Sequence, residues 1–334
     1  MDFKLKQKTE DFSVKEVMNL KLEGGRFAYY RLFKKGYTTQ KAVEIIAKKM
    51  GVRTKFVNFS GNKDKDAVTE QYVSVLHGKK INLDLGNIRL EYLGQGRKRI
   101  NLGEHKGNEF EIVVRNITKK PKKIKWFVNY FDVQRFGKNL NNQLVGKLII
   151  QKKFREACKL LPETKEHLEK HKNDFVGALR TIPKRTLRLL CNSYQSYLWN
   201  IIVSEILKTY KHRVLVFPLG NLAVPARKVK NRKIWVPGFS SELNKEEKAV
   251  LKREGVKKQD FRVKEMPELF LPGNPRDMII DISPEIGKLE RDELNKNKKK
   301  CKVRFFLPKG SYATMALKHM FIGKQSNNSF KSSN

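Results

Sequence analysis

The sequence combines an ordinary globular composition with a very large positive charge. Of its 334 residues, 39% are hydrophobic and 10% aromatic, and 72 Lys and Arg against 34 Asp and Glu give a net charge of +38. Such a composition supports folded domains and excludes disorder for most of the chain. The charge argues against small cationic substrates and favours nucleic acid or an anionic membrane surface as the partner.

The cysteines and histidines form no recognisable metal or disulfide pattern. Cys158, Cys191 and Cys301 lie far apart without paired spacing, and the six histidines form no metal-ligand motif. The chain has no long apolar run and begins with no signal peptide. We therefore expect a cytoplasmic or nuclear protein that works without a metal ion and without a membrane anchor.

Short strands and amphipathic helices alternate along the chain. Apolar residues recur at helical spacing in several segments, and the helix at 39–50 is followed by Gly51, which favours a helix end. The predicted helices are 39–50, 144–161, 187–207 and 311–320. The predicted strands are 27–32, 56–59, 73–75, 110–114 and 303–307, with further short strands between 214 and 237.

One polar loop, between the strands at 56–59 and 73–75, holds a candidate reactive group. Asp64 stands between Lys63 and Lys65. Nearby ammonium groups favour a charged carboxylate, so we expect Asp64 to be ionised at neutral pH. An ionised carboxylate suits a nucleophile or an electrostatic stabiliser better than a general acid. The loop alone favours a surface turn whose charges compensate one another.

Five segments in order resemble motifs of the TruD family of tRNA pseudouridine synthases. The Asp64 segment is similar to the family pattern G-x-K-D-x-x-A-x-T-x-Q, and the matches extend from residue 5 to residue 314. Any one of these matches is weak, but five in the same order are specific. They are Leu5-Lys6 with Glu10–Glu16, Gly61–Gln71, Lys106–Phe110, Asn129–Gly137 and Leu307–Thr314.

This resemblance implies an isomerase that converts uridine to pseudouridine in RNA. The N-glycosidic bond breaks, the uracil turns, and C5 rejoins the ribose, without cofactor or metal. Asp64 matches the family's catalytic aspartate, whose nucleophilic attack falls on either ribose C1′ or uracil C6. The target uridine must first leave its stack. The substrate that the resemblance implies is tRNA, at uridine 13 of the D-arm, although other RNAs are substrates of some relatives.

The resemblance also implies roles for the residues around Asp64. Lys6 corresponds to a lysine that would keep the aspartate charged and oriented, and is otherwise one solvated lysine among many. Phe110 would stack on the flipped base, or be a core residue of its strand. Asn108 could read the uracil imide edge, or cap a turn. The implied substrate-binding residues are Phe12, Lys63, Asn108, Phe110 and Tyr312, with Asp64 and Lys6 as catalytic.

The implied fold is α+β, with two domains in a V-shaped molecule. A pseudouridine synthase catalytic domain with a mixed, mainly antiparallel sheet would comprise 1–137 and 286–334. An inserted α/β TRUD domain would occupy 138–285. We expect a basic cleft between them to hold RNA, and a monomer, because the large charge opposes self-association.

One segment departs from the family pattern. Asp132 stands where the NYFG-x-QRFG motif commonly has glycine, so its local turn is expected to differ. Asn129, Gln134 and Arg135 are interpreted as structural or as contacts to the RNA backbone, with no catalytic role.

Two other classes of function remain open from the residues alone. A noncatalytic RNA-binding protein would explain the charge but leaves Asp64 without a role. An RNA methyltransferase needs a glycine-rich cofactor turn, whereas Gly94-Gln95-Gly96 is short, precedes Arg97-Lys98-Arg99, and is interpreted as a phosphate-facing turn. A membrane-surface role would need a long basic amphipathic helix, and the basic residues here are dispersed.

Overall fold

The computed structural model describes residues 3–322 and has an α+β fold, as the sequence predicts. Within this range the strands are β1 Phe12–Val17, β2 Phe27–Lys35, β3 Val57–Phe59, β4 Val68–Leu76, β5 Leu83–Asp84, β6 Ile88–Gly96, β7 Gly107–Ile117, β8 Trp126–Val128, β9 His212–Leu215, β10 Leu222–Pro225, β11 Lys233–Val236, β12 Asn274–Asp277, β13 Ile279–Asp281, β14 Glu285–Arg291 and β15 Lys299–Pro308. The α-helices are α1 Thr39–Met50, α2 Asn142–Ile150, α3 Phe154–Lys159, α4 Lys165–Lys170, α5 Phe175–Arg180, α6 Lys184–Lys208, α7 Lys245–Arg253 and α8 Ala313–Phe321.

Two compact units make up the chain. The first consists of the residues up to Lys125 together with Asp281–Ala313, and the second begins with Trp126–Ile280 and includes α8 from Thr314 onward. The chain changes unit at 125/126, 280/281 and 313/314, whereas the family resemblance implied changes at 137/138 and 285/286, with the C-terminal helix in the first domain. Helix α8 is bonded to the start of the second unit, since Val128 N–H donates to His319 of α8 at 3.2 Å.

The first unit is built on one large sheet. Within residues 3–322 the sheet has nine strands in the order β14-β15-β7-β1-β4-β2-β6-β5, and β3 pairs with β4 at the side. The pairing of β1 with β4 is parallel, and the remaining pairs in this sheet are antiparallel. The prediction of a mixed, mainly antiparallel sheet is therefore confirmed.

Helix α1 covers one face of this sheet. Its predicted bounds are confirmed: the Thr38 hydroxyl accepts from Lys41 N–H at the start, and Gly51 takes a left-handed φ of 69° at the end. Val43 and Ile46 of α1 are buried against apolar residues of β2, β4 and β6. Burial of this apolar surface is the main stabilising contribution of the helix.

The second unit is organised around the long helix α6. The helix predicted at 187–207 is confirmed within α6, and it buries Tyr194, Leu198 and Trp199. The single helix predicted at 144–161 is wrong, since the chain forms α2 and α3 instead. Lys152, which lies between them, has φ of 60°, a left-handed conformation that interrupts the helix.

The segment Gly94-Gln95-Gly96 ends strand β6, and Arg97-Lys98-Arg99 directly after it are exposed, so the phosphate-facing turn stays a prediction. Pairing of β2 with β6 shifts register between Tyr29 and Tyr30, and Gly94 beside this irregularity has φ of 148°. A Cβ at Gly96 would lie 2.4 Å from the Tyr29 ring. Both glycines thus serve the packing of the sheet.

A buried arginine ties together three parts of the first unit that are distant in sequence. Arg115 of β7 carries a charge but is only 3% exposed. Its guanidinium bonds Asp11 at 2.8 Å, Asp292 at 2.9 Å and Glu293 at 3.1 Å. The hydrogen bonds that the guanidinium donates to these carboxylates, above all to Asp11, hold the pKa of Arg115 above its usual value. Carboxylate pairing is what permits this charge to be buried.

We predict that Arg115→Met lowers the free energy of unfolding by about 3–5 kcal/mol, because Asp11 and Asp292 are then buried without a cation. Urea denaturation followed by circular dichroism measures this loss. The matched control is Arg304→Met, which removes an exposed pair with Glu111 and is expected to cost about 1 kcal/mol or less. Equal losses for the two variants would contradict this account of the Arg115 cluster.

Candidate active site

Asp64 lies in the segment 60–66, here called the Asp64 loop, which joins β3 to β4. Strand β4 lies beside β1 in parallel register, with Ser13 opposite Val68. The loop therefore leads into the middle of the nine-stranded sheet, next to the strand that carries Phe12.

The main chain of the Asp64 loop is held by buried side chains from α1 and β4. The Gln71 amide donates to Gly61 O at 3.1 Å, and the Lys63 N–H donates to the Thr39 hydroxyl at 2.8 Å. The Thr39 hydroxyl in turn donates to Gln71 Oε1 at 2.8 Å. Because Thr39 and Gln71 are both buried, these bonds are shielded from competing water.

A fully buried lysine holds the reactive end of the loop. Lys34 Nζ donates to the carbonyl oxygens of Asp64 and Tyr37, both at 2.8 Å, and more distantly to that of Lys63 at 3.4 Å. Burial lowers the pKa of Lys34 to about 8; the Asp64 carboxylate opposes this shift and the Lys63 ammonium adds to it. The loop conformation thus depends on a buried cation that titrates near the physiological range.

The side chain of Asp64 projects outward and has one cationic partner. Lys6 Nζ lies 2.6 Å from Asp64 Oδ2, and the Asp64 side chain is 58% exposed. Lys6 itself has φ of 55° and its ammonium lies 4.5 Å from the centroid of the Phe12 ring. The carboxylate is thus accessible to a ligand while a neighbouring positive charge fixes its orientation.

Aromatic rings continue this surface from β1 to β7. Phe12 meets Phe110 edge to face at a centroid distance of 6.1 Å, and Phe110 meets Phe305 of β15 at 5.6 Å. Phe110 pairs in register with Val14, so its side chain shares a sheet face with Phe12 and Val14. Phe12 is almost fully buried, whereas Phe110 is half-buried. The structure therefore connects Lys6, Phe12 and Phe110.

A buried ion pair lies further along the same two strands. Lys63 Nζ contacts Glu16 Oε2 at 2.5 Å, and the Glu16 side chain is fully buried. Asn108 of β7 is the register partner of Glu16. Its Oδ1 is buried, and no hydrogen-bond partner for it occurs among residues 3–322. An unpaired buried acceptor is costly in a folded protein and is typical of a ligand-binding position.

The charges around Asp64 differ from those inferred from the sequence. Lys63 and Lys65 were expected to surround the carboxylate, but the Lys63 ammonium pairs with Glu16. Lys65 is exposed and forms no salt bridge within the described range. The partner of Asp64 is Lys6, as the family resemblance implied. Adjacency in the sequence does not predict the partner of Asp64, because the side chains of Lys63 and Asp64 pair with different residues.

Tyr312 is half-buried in the short connection between β15 and α8. Its proximity to the other candidate residues stays a prediction. All seven candidate residues nevertheless belong to the first compact unit.

Three residues that hold the loop were given no role in the sequence analysis: Lys34, Thr39 and Gln71. The period of two in β2 offers a signal for Lys34, since Ala28, Tyr30 and Leu32 are all fully buried and Lys34 continues their face. Gln71 ends the quoted motif, but nothing in the motif shows that its amide reaches back to Gly61.

His105 is a further group near the buried ion pair that the sequence analysis did not single out. Burial, and then the charge of Lys63, lower the pKa of His105, while Glu16 opposes the shift. Its Nδ1 is buried and makes no hydrogen bond to any described residue. The lowered pKa favours the neutral form of the imidazole.

The residue that departs from the family pattern has a structural role in the second unit. Asp132 is fully buried, accepts from Val133 N–H at 2.7 Å at the start of a short 3-10 helix, and pairs with Lys318 of α8. Asn129 and Arg135 likewise bond within this unit, Arg135 to Ser196 at 3.0 Å. The expectation that this segment holds structure is supported.

Residues 3–322 contain neither a metal-binding cluster nor a membrane-spanning helix. No group of three or more His, Cys, Asp or Glu side chains in this range is arranged to hold a metal ion. No helix among these residues is long and apolar enough to cross a membrane.

Comparison with known proteins identifies the family. The model of the family described as tRNA pseudouridine synthase D (TruD) matches residues 1–165, 163–216 and 226–320. The tRNA pseudouridine synthase D of Aquifex aeolicus is 31% identical, over 96% of this chain and 98% of that protein.

Other similar proteins come from archaea. A protein of Methanococcus maripaludis named "Probable tRNA pseudouridine synthase D 1" is 30% identical, over 95% of this chain and 99% of its own length. The crystal structure of a candidate TruD protein from Methanosarcina mazei superposes with a TM-score of 0.70 at 25% identity, covering 95% of this chain and 93% of that one. The chain belongs to the TruD family.

Proposed function

We propose that the protein is a tRNA pseudouridine synthase whose nucleophile is Asp64. The relatives reported above carry this activity in their names. The observation that carries the assignment to Asp64 is its accessible carboxylate, held by Lys6 beside the paired rings of Phe12 and Phe110. In this proposal the first compact unit is the catalytic domain and the second is the TRUD insertion.

The proposed reaction rearranges bonds within one nucleotide. The C1′–N1 bond breaks, a C1′–C5 bond forms, the proton at C5 leaves, and N1 gains a proton, so no external oxidant or reductant is needed. Asp64 attacks either C1′ or C6 to start this sequence. Both attacks need an ionised and oriented carboxylate, and the Lys6 ammonium 2.6 Å away favours both properties.

The neighbouring residues suit a uracil that has left its stack. Phe110 is half-buried and supported by Phe12 and Phe305, so its ring is fixed and can stack on a base. The unpaired Oδ1 of Asn108 could accept a hydrogen bond from the uracil N3–H. Lys63 would act indirectly, either through its ion pair with Glu16 or through the long-range attraction of its ammonium for the RNA phosphates.

The substrate proposal follows the family. We propose uridine 13 in the D-arm of tRNA as the target, and a monomeric, cytoplasmic enzyme. The net charge of +38 supports the RNA partner, since it attracts a polyanion and gives a strongly salt-dependent affinity.

We predict that Asp64→Asn lowers pseudouridine formation by more than about 10³-fold, because the amide keeps the shape but is a poor nucleophile. Carbodiimide treatment and primer extension on tRNA should show a stop one nucleotide 3′ to position 13 with the parent protein and none with the variant. The matched control is Asp66→Asn, an exposed carboxylate of the same loop. Full modification by the Asp64 variant would show that Asp64 is not the nucleophile, whereas RNA binding by the parent protein without any modification would favour a noncatalytic RNA-binding protein.

We predict that Lys6→Met lowers kcat by about 10- to 100-fold while KM changes little, since the cation acts on the carboxylate rather than on the RNA as a whole. Lys6→Arg should recover part of the loss because it keeps the charge. Single-turnover kinetics on tRNA separate the two parameters. A rise in KM with kcat unchanged would show that Lys6 serves only RNA binding.

The buried Lys34 predicts a pH-dependent stability. Its pKa is about 8 in the folded protein, below the unfolded value of about 10.5, so the unfolded state binds more protons between these values. Its contribution to stability therefore rises with pH from about 8 to 10.5. We expect the free energy of unfolding of the parent protein, relative to Lys34→Met, to increase over this interval in urea titrations. A constant difference would contradict the lowered pKa.

A further inference from the structure

The second unit contains an aromatic corner that no part of the proposed catalytic site uses. Phe239 follows β11, and Phe270 lies about thirty residues further along the chain. Their rings meet at an angle of 61° with centroids 5.5 Å apart. Both rings line an open hollow of about 620 Å³, and the Phe270 residue is 42% exposed. The remaining residues that line it are Arg262, Val263, Lys264 and Pro267.

The corner is held in place by the backbone and by a buried layer beneath it. Phe239 N–H donates to Leu271 O at 2.8 Å, and Leu271 N–H donates to Phe261 O at 3.1 Å. Phe261, Val263 and Leu269 are fully buried. The rings therefore keep their relative position without a ligand, so little conformational entropy is lost on binding.

The charges at the corner are positive. The Arg262 guanidinium lies 5.9 Å from the centroid of the Phe239 ring. Neither Arg262 nor Lys264 forms a salt bridge with any residue in the range 3–322. The two nearby carboxylates are occupied, since Glu265 pairs with Lys152 at 2.8 Å and Glu268 with Arg180 at 3.1 Å.

We propose that this corner binds an unpaired nucleotide of an RNA, with the base stacked on Phe270 and the phosphates near Arg262 and Lys264. A flat base stacked on one ring would have the edge of the other ring against its rim, which suits rings that meet at 61°. Aromatic rings beside unpaired cations are the combination by which proteins hold single-stranded nucleic acid without sequence preference. The proposal rests on the proposed function in taking RNA as the ligand.

The test measures binding of RNA without uridine, which separates the corner from catalysis. An oligoadenylate of about ten nucleotides with a central 2-aminopurine reports stacking by fluorescence quenching. A blunt RNA duplex of about 16 base pairs serves as the paired probe. The full-length parent protein is compared with Phe270→Ala, Phe270→Tyr and Leu144→Ala, the last being another exposed apolar residue of the second unit.

Phe270→Ala is expected to weaken oligoadenylate binding about 5- to 100-fold and to reduce quenching, while the affinity for the duplex stays within about twofold. Phe270→Tyr and Leu144→Ala should bind oligoadenylate as the parent does, and Asp64→Asn should also do so, whatever its effect on pseudouridine formation. Unchanged binding by Phe270→Ala, or an equal loss for both probes, would overturn the proposal. So would Phe270-dependent binding of an acidic peptide together with oligoadenylate binding that does not depend on Phe270.

Discussion

The first unit meets one constraint above all others. The main chain of the Asp64 loop is fixed, while its carboxylate stays open to solvent. The Asp64 side chain must be reachable, so packing cannot hold it, and the main chain is held instead. Buried donors and acceptors on Lys34, Thr39 and Gln71 bind the loop at three points. Each anchor comes from an element of the sheet or its covering helix, so the rigidity of the core is transmitted to the loop.

The choice of a buried lysine at this position has a cost and a benefit. Removing an ammonium from water is unfavourable, as its lowered pKa indicates. In return, one side chain satisfies a carbonyl group of the Asp64 loop and another between β2 and α1, which no apolar residue could do. Functional sites commonly retain such locally unfavourable groups, because the geometry of the site is worth more than the stability lost.

Much of the fold could be predicted from periodicity, and the centre of the site from motif resemblance. The helix at Thr39–Met50 could be predicted because its apolar spacing, its cap and its terminal glycine all indicate the same bounds. The break at Lys152 was not, since a left-handed residue within an amphipathic pattern has no sequence signature. The partners of Asp64 and Lys63 also could not be predicted from the residues next to them in the sequence. Lys6 and Glu16 are remote in sequence, and only the arrangement of β1 against β4 brings them to the loop.

The attachment of the N-terminal segment has a consequence for the order in which the molecule can be assembled during synthesis. Lys6 precedes β1, and this segment is tied through Asp11 and Arg115 to Asp292. Lys6 thus leaves the ribosome before the Asp64 loop, while Asp292 leaves well after that loop. Residues 126–280, which form most of the second unit, are made in between. A ribosome-bound fragment that already exposes the Asp64 loop therefore lacks Asp292, so the segment that carries Lys6 gains this anchor only after residues 126–280 have been made.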